Sequence, residues 1–140
     1  MVERLSRRGF LTGLLAGAGC LFVGRVARGG SGRGVPPEAL AVQIVSAVPD
    51  RRRAAALGRA YLRDAPNEAS VAGLVAAISS GCVPPLSSHT ASAADLRRAL
   101  SMRVERDYAE QRVVEVQGWL LSPSEARICA LTSLMATNAR

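Results

Sequence analysis

Few residues in this 140-residue chain are of types that do chemistry, and their spacing decides what each could do. Cys82 and His89 stand seven positions apart in GCVPPLSSHTAS, residues 81–92. A thiol beside an imidazole is a nucleophile with its base, but a loop spacing of this kind brings no geometry for the pair. His89 is the single histidine. A zinc site needs about four Cys, His or carboxylate ligands, and no such grouping surrounds it. Haem-attachment, nucleophile-elbow and phosphate-loop motifs are absent from the sequence. Glu105, Asp107 and Glu110 alternate with Arg103, Arg106 and Arg112. Opposite charges three to five residues apart on a helix read as solvated pairs rather than a paired-carboxylate catalyst. The chain is therefore expected to be non-catalytic, with no cofactor and no metal.

The elements that carry these residues follow from periodicity and caps. Apolar residues are 49% and aromatics 4% of the chain, so the core is Ala, Leu and Val, which favours packed helices over sheet. A first helix is expected over 38–48, broken by Pro49. Asp50 then caps a helix to about residue 63 with Ala54, Leu57, Gly58, Tyr61 and Leu62 on one face. A third runs over 67–80, closed by Gly81 as a glycine C-cap. Ser92 and Asp95 have capping-box spacing and open the longest helix, to roughly residue 111, with Leu96, Leu100, Val104 and Tyr108 as its core stripe. The period then changes. VVEV and WLL flank Gln117-Gly118 as a short hairpin, with Trp119 seating it on the helices. Ser122, Pro123 and Glu125 supply N-cap, N1 and N3 of a last helix to about residue 135. The fold class is mainly α, a small helical domain with one short β-hairpin before the last helix.

Charge is unevenly placed. All 18 basic residues are Arg and the net charge is +7, but residues 1–33 hold six Arg and one acid, leaving only +2 on residues 34–140. A nucleic-acid-binding surface needs a concentrated basic field, and the domain offers one local cluster, Arg51, Arg52 and Arg53. These occupy the first turn of a helix, where the dipole disfavours positive charge. They read as a solvated end or as a contact for an acidic partner surface or anionic lipid heads.

The first 29 residues have the parts of an export leader: Arg4, Arg7 and Arg8, then an apolar run over 10–23 that is short of the ~20 residues a spanning helix needs. Ser6, Arg7, Arg8, Phe10 and Leu11 resemble the twin-arginine (Tat) signal, Ser/Thr-Arg-Arg-x-Phe-Leu-Lys, with Thr12 in place of the Lys. The mild, Gly-containing apolar run is also typical of that signal. The resemblance implies passage through the Tat translocase, which carries proteins already folded, to the periplasm or the outer face of the cytoplasmic membrane. Ala27-Arg28-Gly29 is the best small-x-small cleavage site, and Gly17-Ala18-Gly19-Cys20 only faintly resembles a lipoprotein box. An uncleaved leader serving as an anchor is the alternative. The organisation expected is thus 1–29 signal peptide, 30–37 Gly/Pro-rich linker and 38–140 helical domain.

In an oxidising compartment Cys82 and Cys129 form an even pair. A disulfide between them, worth on the order of 3–4 kcal/mol, and a small buried hydrophobe at Cys129 are both consistent with the spacing. A Tat leader ahead of a short helical domain also resembles the small accessory subunits of periplasmic flavin-dependent dehydrogenases, which escort a larger catalytic subunit lacking its own signal. That resemblance implies an escort subunit of an exported oxidoreductase. The competing reading is a stand-alone exported binding or structural protein.

Overall fold

The computed structural model describes residues 35–82, 86 and 92–138. Helix α1 (Pro37–Ser46) starts at a proline in its first turn, where the missing N–H costs nothing. Helix α2 (Arg51–Asp64) is capped by Asp50, whose side chain accepts from the Arg53 N–H at 3.0 Å. It stops at Ala65 because Pro66 disfavours a helical residue before it.

Here the sequence expectation needs correction. The single helix over 67–80 is two elements: a 3₁₀ turn (Pro66–Glu68) and helix α3 (Val71–Ser79). Ala69 leaves helical geometry, and Ser70 recaps the chain by accepting from Gly73 N–H at 3.3 Å. Gly81 is not a left-handed C-cap; α3 ends on Ser80 in ordinary helical geometry. Its lack of a side chain serves another purpose, since a Cβ there would overlap the Arg103 guanidinium.

Helix α4 (Ala93–Ala109) opens on the Ser92–Asp95 capping box and closes on a Schellman motif. In that motif the Arg112 N–H reaches the Asp107 carbonyl at 2.8 Å and the Gln111 N–H reaches Tyr108 at 3.0 Å. Gln111 holds the left-handed position, φ 56°, that glycine usually fills. Strands β1 (Val114–Val116) and β2 (Trp119–Leu121) pair antiparallel, Val114 facing Leu121 and Val116 facing Trp119. Gln117 (φ 51°) and Gly118 (φ 76°) make the tight turn that matches strand twist.

Helix α5 (Pro123–Asn138) is the axis of the molecule. It packs against α1, α2, α3, α4 and both strands, and all but one residue from Ser124 to Ser133 is buried. Its buried polar residues, Ser124, Glu125, Thr132 and Ser133, are tolerated there because Ser124, Glu125 and Thr132 are hydrogen-bonded within the chain. Its closest neighbour is α2, where Gly58 lets the backbones meet; a Cβ at Gly58 would overlap the Cys129 carbonyl. Trp119 is half-buried against this core. No helix among the described residues is long and apolar enough to cross a membrane.

Candidate functional site

Polar groups concentrate at the first turn of α5. Ser122 and Glu125 close a reciprocal capping box: the Glu125 N–H donates to Ser122 Oγ at 3.1 Å and the Ser122 N–H to Glu125 Oε2 at 2.8 Å. The same Oε2 accepts from the Tyr108 hydroxyl at 2.5 Å, so the cap of α5 is also a tie to α4.

Beside it lies Asp107, 0% exposed. Its Oδ2 accepts from Ser124 Oγ at 2.5 Å and Ser124 N–H at 3.1 Å, while Oδ1 accepts from Arg112 Nη2 at 2.8 Å. Arg103 Nε is 3.8 Å from Oδ1 and donates to Ser124 Oγ at 3.2 Å. The Schellman turn explains how Arg112 arrives: it reverses the chain and lays that side chain back over α4. A buried carboxylate is tolerable only with such partners. The solvated-pair reading of Asp107 is therefore overturned, while Glu105 and Glu110 are exposed as expected. Because each oxygen of Asp107 and the Oε2 of Glu125 is engaged by donors of the same chain, this cluster binds α4 to α5.

A second ionic tie spans the other flank of α5. Arg127 donates from Nε and Nη2 to the two oxygens of Glu68, both at 2.9 Å, and Tyr61 donates to Glu68 Oε2 at 3.0 Å. The Arg127 hydrogen bonds hold the Glu68 carboxyl below its usual range, and burial with the Glu68 contact pushes the Tyr61 phenol up. Nothing in the spacing of Tyr61, Glu68 and Arg127 announced this, since the last two are 59 residues apart.

Cys82 and Cys129 are both buried free thiols, so the structure holds no bridge between them. Cys82 closes α3, its thiol donating to the Ile78 carbonyl at 3.3 Å. Burial pushes its pKa up, opposed by Arg103 and Arg106, and pushes Cys129 to about 12. His89 and the leader residues Ser6, Arg7, Arg8, Phe10 and Leu11 lie outside the described residues. Among the described residues no group of three or more His, Cys, Asp or Glu could hold a metal ion.

Arg51, Arg52 and Arg53 are exposed on the first turn of α2, with Arg53 Nε 3.8 Å from Asp50. They are not alone. Arg52, Ala56, Arg59 and Arg63 fall at i, i+4, i+7 and i+11, all exposed, opposite the buried Ala54, Leu57 and Gly58. This arginine row runs along the outside of α2, beyond the first-turn cluster Arg51 to Arg53 that the sequence marks out. No protein family, curated protein or solved structure matches this chain.

Proposed function

We propose that the chain is a non-catalytic accessory or escort subunit of an exported oxidoreductase, carried folded through the Tat translocase to the periplasm or the outer face of the cytoplasmic membrane. The observation that carries this reading is Ser6-Arg7-Arg8-Gly9-Phe10-Leu11 and its short apolar run. Two features of the domain support it. The core closes around Cys82 and Cys129 as reduced thiols, so folding needs no oxidant and is compatible with the reducing cytoplasm, where a Tat passenger folds. Val113 and Leu120, 46% and 57% exposed, are large apolar side chains at the hairpin, available to a larger subunit.

The test is recovery of tagged full-length protein from its own host, with mass spectrometry of what accompanies it. A stoichiometric large oxidoreductase subunit without a signal of its own is the expected companion, and Arg7→Lys with Arg8→Lys should leave both chains in the cytoplasm. Recovery of the chain alone overturns the escort role and leaves an independent exported domain.

A further inference from the structure

The α2 segment carries the domain's net positive charge. Residues 50–64 hold five Arg and two Asp, a net +3, while the rest of residues 34–140 hold seven Arg and eight acids, a net −1. The rest of the domain is thus close to neutral, slightly negative. Arg52, Arg59 and Arg63 lie on a straight line roughly 16 Å long, taking 1.5 Å per residue. Arg51 flanks it, and among the described residues none of these four makes an ion pair. Only the small Ala56 interrupts the row, so nothing bulky holds the guanidinium groups away from a flat surface. The arrangement also keeps Arg51 and Arg52 in the first turn, where the α2 dipole opposes positive charge, while Arg53 beside them lies 3.8 Å from Asp50.

We propose that the outer face of α2 seats the domain on an anionic lipid bilayer. The chain outside the described residues points to that occupant. The apolar run over 10–23 is joined to α1 by residues 24–36, which carry Arg25, Arg28 and Arg33 and no acid. A Gly-rich segment of that length would reach about 20 Å as a coil, so a leader retained in the membrane would keep α2 within reach of the headgroups. Arginines near an anionic leaflet each contribute to binding, screened beyond a Debye length. A row on one helix face, backed by a domain of opposite net sign, orients as well as attracts. This surface requires neither the oxidoreductase partner nor the translocase, so it stands or falls separately from the escort role.

The experiment is flotation of full-length protein with phosphatidylcholine vesicles and with vesicles of about one-third phosphatidylglycerol. The preference for the anionic vesicles should fall about a hundredfold in Arg52→Glu/Arg59→Glu/Arg63→Glu. It should barely change in Arg97→Glu/Arg98→Glu, exposed on α4. Arg52→Lys/Arg59→Lys/Arg63→Lys should retain it, because a lipid surface reads charge and not guanidinium shape. Circular dichroism checks that each variant is folded. The proposal is overturned if the triple Glu variant keeps the preference, if the α4 variant loses as much, or if the Lys variant fails. It is equally overturned if the row binds duplex DNA or a polyglutamate more tightly than the vesicles.

Discussion

Ser124 gives Asp107 two hydrogen bonds to a single oxygen, Oδ2, one from its hydroxyl at 2.5 Å and one from its backbone N–H at 3.1 Å. The serine is the second residue of α5 and the aspartate lies in the last turn of α4, so the pair joins the end of one helix to the start of the next. The short loop between them is the hairpin. Asp107 thereby fixes where the hairpin leaves and where the chain re-enters the core.

Asp107→Ala should destabilise the domain by about 3 kcal/mol, because it strands the buried Ser124 donors and removes the buried one of the two carboxylates that Arg112 pairs with. Urea denaturation followed by circular dichroism measures it. A loss below about 1 kcal/mol would mean that water replaces the carboxylate.

Gly58→Ala would raise helix propensity at an exposed site, yet here it should cost more than about 3 kcal/mol. The added carbon overlaps backbone, the Cys129 carbonyl, and neither helix can yield without disturbing the other. Thermal unfolding of the variant decides the point, and an unchanged Tm would disprove the close crossing.

Gln111 occupies a left-handed position at the end of α4. Gln111→Gly should therefore stabilise by about 1 kcal/mol, and Gln117→Asn should act in the same direction at the hairpin turn. Midpoints of chemical denaturation, with unchanged m-values, would record both gains.

The Glu68 carboxyl titrates below its ordinary 4.5 in the folded state. Its contribution is therefore present above that value and lost as pH falls through the lowered one. Replacing it, Glu68→Gln, should lower stability at pH 7 and flatten this part of the acid limb. Tyr61, raised above 10.0, contributes in the opposite sense, present below 10 and lost in alkali. Spectrophotometric titration should show the Tyr61 phenol shifted upward in the wild type and less so in the Gln variant.

Cys82 and Cys129 should resist thiol reagents at pH 8 in the native protein and react fully in guanidinium, because burial disfavours both thiolates. With Cys20→Ser to simplify the count, intact mass before and after reduction should agree. A gain of about 2 Da on reduction would reveal a bridge.

What was legible in the sequence was local. Asp50, Ser92, Ser122 and Glu125 announce helix starts because a cap is a short-range bargain between a side chain and N–H groups two or three residues on. Gln117-Gly118 announces the turn for the same reason. The break at Ala69 and Ser70 was obscured because apolar spacing continues across it and Ser70 lacks an acidic partner three residues on. Asp107 was misread because a carboxylate among arginines has the same pattern on a wet face as in a core; Ser124, 17 residues away, makes the difference. Arg127 and Glu68 met through tertiary approach alone. Of the surface row, Arg51 to Arg53 stood out as a run, whereas Arg59 and Arg63 join it only when the helix is wound.

Because α5 is the shared wall of the other helices and both strands, and follows all of them in the chain, the core cannot close until its last element has been made. Helices α1 and α3 can meet before then, but the apolar faces that they and α2 turn toward α5 stay uncovered until it is made. The amino-terminal arginine motif is thus displayed long before the domain it precedes can become compact, and chaperones have that interval to occupy both. A stop codon before residue 123 would leave a chain with four helices' worth of apolar stripe and without the helix they pack on.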